Sequence, residues 1–284
     1  MDLWGKYDVT SISRHQYYLL LVNNTTCYVM VYFLKGKHEA AQHVKNYLTY
    51  LHVHGISTHA ICVDRGTEFI NKDLTNWCHA KGMEIQQTTP YSPSQNGIAK
   101  CMNHTLVEFT CAMLTASKLP KFLWEPAVAH AAYVRNCAYT TSIKDKTPYQ
   151  GWYGTKPNVL HLCEFGAAVW VLQQGQNVTR KILPKSKCRA YIGYKDVSKS
   201  VLFYNAETRK ILTSHNYVFL SKQPAVLPEE IQVEHTPTCE GEREEGDTCE
   251  VEIKDTTCPK ENRKRKEPKG MDEPQKTRRV CPDY

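Results

Sequence analysis

The sequence predicts an α/β fold over residues 1 to 155, a small all-β module over 156 to 222, and a disordered tail over 223 to 284. In the first part, apolar strand patterns alternate with helical ones. Past Pro157 the pattern changes to short strands separated by polar turns. After Lys222 apolar residues become sparse and charged residues come in blocks, a composition that cannot bury a core.

The first part begins with strands. Residues 17 to 34 contain two apolar strands around the polar turn at 23 to 26, which predicts a hairpin. A helix is expected over 38 to 54, because Ala41, Val44, Leu48 and Leu51 recur at helical spacing. The short apolar run at 60 to 63 is typical of a strand buried on both faces.

A second helix over 73 to 80 and a strand over 83 to 87 follow, so the predicted order is β, β, β, α, β, α, β, a mixed sheet with helices. Residues 88 to 97 combine prolines, glycine and small polar residues, which predicts a loop. Two helices follow it, the second over 123 to 136. The predicted buried face of the first is Ile98, Met102, Leu106, Phe109, Met113 and Ala116.

The β module is predicted from four short apolar segments. They span 167 to 172, 188 to 194, 200 to 204 and 217 to 220. Over 181 to 199 the module holds six bases and one acid, Asp196. A phosphate-contacting surface is therefore the preferred interpretation, with a merely solvated basic face as the alternative.

The net charge changes sign near residue 222, where the apolar content of the sequence also falls. The whole chain has 36 Lys and Arg against 29 Asp and Glu, whereas residues 223 to 284 have 11 against 16. The remaining 25 and 13 give residues 1 to 222 a net charge of +12. Such a field attracts polyanions, so nucleic acid is the leading partner class.

The cysteine spacing and the lengths of the apolar segments indicate the cellular compartment in which the protein is expected. The 12 cysteines are scattered without a paired or zinc-ligand spacing, which argues against a disulfide scaffold or a zinc site. No apolar run approaches the ~20 residues that span a bilayer, and no signal peptide is visible, so we expect an intracellular protein without a membrane partner.

The tail carries an acidic block and then a basic one. Residues 229 to 255 hold 11 acids and 2 bases, and residues 260 to 279 hold 9 bases and 4 acids. The basic block fits a bipartite nuclear-import signal, so an import receptor is a possible partner and we expect the chain in nucleus and cytoplasm. A solvated charge run without a receptor is the alternative. The residues of the signal are Lys264, Arg265, Lys276, Arg278 and Arg279.

Two carboxylates mark a candidate catalytic site. Asp64 ends the buried strand at 60 to 63, where a charge needs a metal, a cation or hydrogen bonds. Asp2 lies in the opening segment at 2 to 6, before the hairpin, and is expected on the strand beside that of Asp64. With a third acid from the helix after the loop, they would form a two-metal site for phosphoryl transfer.

The chain resembles the integrases of copia-type LTR retrotransposons, with a yeast-type element as the nearest member, over nearly all of residues 1 to 220. Seven segments carry the resemblance. They are Cys62 to Phe69, Pro90 to Leu106, Leu119 to Ala127, Thr147 to Trp152, Lys181 to Lys187, Tyr191 to Tyr194 and Asn216 to Phe219.

The resemblance implies an RNase H-like core with a five-stranded mixed sheet and an Asp, Asp, Glu triad that binds Mg²⁺. Its activity is DNA integration, in which the 3′ hydroxyl of element DNA attacks target phosphodiesters. Asp2 and Asp64 match the first two positions and would be the metal ligands. In the family, 35 residues separate the second Asp of the triad from the Glu. Counted from Asp64, the position of the Glu is 100, and this chain has a lysine there.

Lys100 decides the expected mechanism. An ammonium in place of a carboxylate puts repulsion where the second metal ion would bind, so metal occupancy is expected to be low. Lys100 is either a plain exposed helix lysine or a partner of Asp2 or Asp64. Glu108 cannot replace the missing acid, because it lies about 12 Å further along the helix.

The resemblance also implies nucleic-acid contacts, with element ends and target DNA as partners and a homo-oligomer possible. The candidate contacts are Tyr91, Lys100, Asn103, Lys181, Lys185, Lys187 and Arg189. Because the chain begins at Met1, we expect that the zinc-binding N-terminal domain of full integrases is absent and that the first strand is cut short. These departures favour a remnant of a degenerate element.

Three functions remain open at this point. The first is DNA binding without strand-transfer chemistry. The second is a weakly active metal-dependent integrase or nuclease that uses Asp2, Asp64 and Glu68. The third is a nuclear interaction protein that acts through its charged tail.

Overall fold

The computed structural model describes residues 1–63, 72–87, 97–172, 185–195 and 200–224, with side chains given up to residue 219. These residues all lie in one compact unit, Met1–Gln232. The tail from residue 225 onward, including the predicted import signal, lies outside them. Within the described residues, no helix combines the length and apolarity needed to cross a bilayer.

The first sheet contains three antiparallel strands, β1 (Asp2–Trp4), β2 (Tyr17–Val22) and β3 (Val29–Leu34), in that order. The predicted hairpin is confirmed. Its turn is fixed by the Asn23 side chain, whose Oδ1 accepts from the backbone amides of Thr25 and Thr26 at 3.0 and 2.9 Å.

A parallel pair continues the core, formed by β4 (Ala60–Val63) and β5 (Glu84–Gln87). The helices α1 (Ala40–Val53) and α2 (Lys72–Ala80) precede and connect them. The Met1 ammonium donates to the Cys62 carbonyl at 2.8 Å, which brings β1 beside β4. The described core strands form two hydrogen-bonded sheets, β1-β2-β3 and β4-β5, and the Met1 contact places β1 next to β4.

Strand β2 is apolar throughout because it is covered on both sides. Tyr18 and Leu20 point into a cluster that includes side chains of the two long helices, α3 (Gly97–Ser117) and α4 (Trp124–Cys137). Leu19 and Leu21 point into a second cluster with residues of α1, α2 and β4. This is the burial expected of a central strand between two helical layers.

The predicted helix is confirmed as α3, but its predicted buried face is only partly right, since Met102 and Leu106 are buried and three other members are exposed. Ile98 and Phe109 are exposed by 55% and 42%, and Ala116 is also exposed. Apart from Met102 and Leu106, each buried side chain lies one position after a predicted one. They are Ala99, Met102, Asn103, Leu106, Thr110, Leu114 and Ser117.

The all-β module forms a five-stranded antiparallel sheet with the order β10-β6-β7-β8-β9. The strands are β6 (Ala167–Leu172), β7 (Ser186–Tyr194), β8 (Val201–Asn205), β9 (Lys210–Ser214) and β10 (Tyr217–Pro224). One face packs on α4, since Ala190 and Tyr204 join the cluster that contains Trp124. The boundary near residue 155 stays a prediction.

The sequence patterns did not predict β9 or the short helix α5 (Pro148–Tyr153). At α5, Thr147 caps the first turn by accepting from the Gln150 amide at 3.1 Å, and Gly154 ends the helix at φ 74°. Six residues are too few to show a helical period. The predicted class, an α/β core followed by a small all-β module, is confirmed by the element order. The RNase H-like assignment of the core stays a prediction.

Candidate active site and nucleic-acid interface

Strand β1 places Asp2 in the interior. Asp2 pairs with Leu20 of β2 and is 9% exposed. Because β1 lies beside β4, Asp2 is close to the end of β4, where the chain continues to Asp64. Asp64 itself lies outside the described residues, and so does Glu68.

Helix α3 supplies the partner of Asp2. The Asn103 side chain donates through Nδ2 to Asp2 Oδ2 at 2.8 Å, and its Oδ1 accepts a hydrogen bond from the Tyr18 hydroxyl. Asn103 is 6% exposed and Tyr18 is fully buried. Three elements, β1, β2 and α3, are therefore tied together by one buried polar network.

Ionisation of Tyr18 is disfavoured in this network. Burial raises the pKa of Tyr18 far above its ordinary value, and the Asp2 charge raises it further. The Tyr18 hydroxyl therefore stays a hydrogen-bond donor, and the amide oxygen of Asn103 accepts from it. The NH₂ group of Asn103 is then directed toward Asp2, which accepts from it.

This position of Asn103 differs from the nucleic-acid contact that we predict for it. Both ends of its amide are engaged inside the protein, so its side chain stabilises the fold around Asp2. The sequence does hold a signal for this internal role. Tyr18 lies in the apolar strand β2, and a buried tyrosine needs a hydrogen-bond partner for its hydroxyl.

Lys100 lies one helical turn before Asn103, about 4.5 Å along the axis. It is exposed, and it forms no ion pair with Asp2 or with any other described carboxylate. Of the two alternatives for Lys100, pairing with Asp2 is therefore wrong. Pairing with Asp64 falls outside the described residues.

The described residues alone do not supply the donors that a pair of Mg²⁺ ions needs. In the described parts of the chain, no group of three or more His, Cys, Asp and Glu side chains converges as metal ligands would. Asp2 already accepts from Asn103, and the third position holds an ammonium group. Two divalent ions need several carboxylate oxygens at once.

The predicted alternatives on α3 are also located. Glu108 is exposed and pairs with His104, with 3.1 Å between Oε1 and Nε2. This i to i+4 pair lies on the helix surface. Glu108 is therefore engaged away from Asp2, in agreement with its exclusion as a replacement ligand.

Three predicted contacts of the β module lie in the described residues, and two of them have an acidic partner. Lys185 is exposed. Lys187 and Arg189 both contact Glu207, which the sequence analysis missed because it follows in the β8–β9 turn. Tyr91, Lys181 and the tail residues Lys264, Arg265, Lys276, Arg278 and Arg279 lie outside the described residues.

Known proteins resemble the chain at the level of sequence. The Retrovirus-related Pol polyprotein from transposon TNT 1-94 of Nicotiana tabacum is 26% identical over 219 residues, which are 77% of this chain and 16% of that protein. The Retrovirus-related Pol polyprotein from transposon RE2 of Arabidopsis thaliana is 27% identical over 77% of this chain and 15% of its own length. The Transposon Ty1-DR6 Gag-Pol polyprotein of Saccharomyces cerevisiae is 25% identical over 80% of this chain and 13% of its own length.

No family model matches the chain. Among solved structures, the simian T-cell lymphotropic virus intasome in complex with PP2A regulatory subunit B56 gamma aligns with a TM-score of 0.44 and 14% identity, over 80% of this chain and 77% of that one. The chain spans only about one sixth of the TNT 1-94 polyprotein. Over 77 to 80% of its length, the chain is homologous to the Pol polyproteins of copia-type retrotransposons.

Proposed function

We propose that this chain is a remnant of a retrotransposon integrase that binds DNA and has lost the strand-transfer chemistry. The homology to Pol polyproteins supports the integrase ancestry. In a degenerate copy, binding can persist without catalysis, because phosphate contacts are spread over a surface while catalysis needs a few carboxylates in one place.

The contact between Asn103 and Asp2 is the observation that carries this proposal. It anchors α3 against β1, so position 100 lies within one helical turn of a residue that touches Asp2. The resemblance assigns a glutamate to that position, and the chain has a lysine. The helix is therefore in place while the charge that catalysis requires is reversed.

DNA binding is proposed on the charge of residues 1 to 222, which is +12. In the β module, Lys185 is exposed just before β7 and has no ion-pair partner among the described residues. The DNA partners would be element ends and target DNA, and binding could involve a homo-oligomer.

The test of DNA binding is a salt titration with a random-sequence duplex. We expect log affinity to fall linearly as log salt rises, and Lys185→Gln to make the slope shallower by about 0.9, the effect of one lost phosphate contact. Lys156→Gln is the matched control, because Lys156 is also exposed but is not a predicted contact. Salt-independent affinity would refute the proposal.

The second candidate is a weakly active metal-dependent enzyme. One observation favours it: Asp2 is retained and buried, and the Asn103 amide donates to its carboxylate. That candidate also needs Asp64 and Glu68. A strand-transfer assay of the unaltered chain separates the two, since only the second candidate predicts activity.

The nuclear-import role of the basic tail also stands as a proposal. With it, the chain would partition between nucleus and cytoplasm. Changing Lys264, Arg265, Lys276, Arg278 and Arg279 to glutamine should shift a fluorescently labelled chain to the cytoplasm. An unchanged distribution would remove the basis for a receptor.

A further inference from the structure

The β module contains a compact anion-binding arrangement at Lys187 and Arg189. The two residues lie two positions apart on β7, so their side chains leave the same face of the strand. Both reach one carboxylate, Glu207. Lys187 Nζ lies 3.2 and 3.3 Å from Glu207 Oε1 and Oε2, and Arg189 Nη2 lies 3.2 Å from Oε1.

The arrangement is held in place from both sides. The Arg189 side chain is only 15% exposed, and its Nη1 also donates to the Cys188 carbonyl at 3.3 Å. On the other side, the Glu207 backbone amide donates to the Asn205 side chain at 3.2 Å, which fixes the start of the β8–β9 turn. Arg189 is therefore held in place independently of the glutamate side chain, and Lys187 reaches the same point from the neighbouring position of β7 on that face.

The site remains open to solvent. Glu207 is 57% exposed and Lys187 is 47% exposed, so a ligand can approach without any rearrangement of the core. Hydrogen bonds from Lys187 and Arg189 lower the pKa of Glu207, which keeps the carboxylate charged near neutral pH. An ion pair as exposed as this one is weak and can be exchanged for another anion.

We propose that Lys187 and Arg189 form a cradle for one backbone phosphate of nucleic acid, and that Glu207 occupies this cradle as an internal competitor. A phosphodiester offers two charged oxygens to the two cations, as the carboxylate does. Bound DNA displaces the Glu207 side chain, so the chain binds more weakly than its basic residues alone would allow. The inference rests on the proposed DNA binding and adds the residue that limits it.

The test compares two variants that change the net charge by the same amount. Glu207→Gln empties the cradle of its carboxylate and retains the backbone bond to Asn205. Glu164→Gln is the matched control, because Glu164 is exposed just before β6 and forms no ion pair with the described residues. Affinity for a random-sequence duplex is measured on the full chain over a series of salt concentrations, and thermal unfolding checks that both variants are folded.

We expect Glu207→Gln to bind about two- to fivefold more tightly than the control at low salt, the range of one exposed ion pair. Its salt slope should be steeper by about one, since one more phosphate is contacted. Adding Lys187→Gln and Arg189→Gln to Glu207→Gln should abolish both gains.

Two results would overturn the inference while leaving the proposed function intact. In the first, Glu207→Gln binds DNA no more tightly than Glu164→Gln, although the affinity of the unaltered chain falls with rising salt as expected. In the second, the gain persists after both bases are removed. If the unaltered chain shows no salt-dependent binding at all, both the proposed DNA binding and the proposed phosphate cradle are refuted.

Discussion

Asn103 of α3 donates its amide to the buried carboxylate of Asp2 on β1, with 2.8 Å between Nδ2 and Oδ2. The same side chain accepts from the Tyr18 hydroxyl, so one residue joins a carboxylate and a phenol that would otherwise be buried without these partners. This contact joins α3 to β1, beside the apolar packing of Met102 and Leu106, and position 100 lies within one turn of it.

Replacing Asn103 should reveal the cost of breaking the network. We expect Asn103→Ala to lower the free energy of unfolding by about 1–3 kcal/mol, because Asp2 and Tyr18 each lose a buried hydrogen-bond partner. Thr115→Ala, at an exposed position of the same helix, should change it by less than about 0.5 kcal/mol. Urea unfolding measures both, and equal losses would contradict the account.

Tyr18 should make stability fall at high pH. Its pKa is raised in the folded chain, so its contribution is fully present below the ordinary tyrosine pKa and is lost as pH rises from there toward the folded value. Between pH 9 and pH 11, unfolding free energy should therefore fall less for Tyr18→Phe than for the unaltered chain. Identical pH dependence of the two would argue against a buried, protonated Tyr18.

His130 should make stability fall in acid. It packs against Phe165 and Tyr191, and burial lowers its pKa from 6.5 to about 4. The neutral ring is therefore favoured in the folded chain, and its contribution is lost as pH falls from 6.5 toward 4. Between pH 7 and pH 5 the loss should be about 2 kcal/mol, and His130→Leu should remove it. A mutant that keeps the full acid dependence would contradict this assignment.

Gly166 should tolerate no side chain, because it lies against the end of α3. Its φ is +84°, and an added Cβ would lie 2.3 Å from Ser117 Cβ. Gly154 has a similar φ of +74° with open space around it, so it is the matched control. We expect Gly154→Ala to destabilise by about 1 kcal/mol and Gly166→Ala by about 1–3 kcal/mol more. Thermal unfolding measures both variants. Equal decreases in unfolding temperature would show that the close approach of Gly166 to Ser117 does not exclude a side chain.

The order of strands and helices in the core could be predicted because long apolar periods dominate it. The buried face of α3 could not, because two short polar side chains on that face find hydrogen-bond partners, one within the helix and one on the neighbouring strands. Thr110 donates to the Leu106 carbonyl at 2.7 Å, and Asn103 is satisfied by Asp2 and Tyr18. Polar residues with local partners can be buried, and apolarity alone then misplaces the face.

The candidate site was predictable only in part. The sequence located Asp2 and Lys100, since the resemblance supplies their positions, but it could not show that Asn103 contacts Asp2. Glu207 was missed for a similar reason. It follows Lys187 by 20 residues, and only the pairing of β7, β8 and β9 brings its turn back to the cradle.

The central claim is that the chain has lost strand transfer at position 100. The direct measurement is a strand-transfer assay with Mg²⁺ or Mn²⁺, using labelled element-end DNA and a target duplex, on the unaltered chain and on Lys100→Glu. Lys121→Glu controls for net charge, because Lys121 is exposed and away from the triad positions in sequence. We predict no product from the unaltered chain or from Lys121→Glu, and any recovered product only with Lys100→Glu. Metal-dependent product from the unaltered chain would contradict the account.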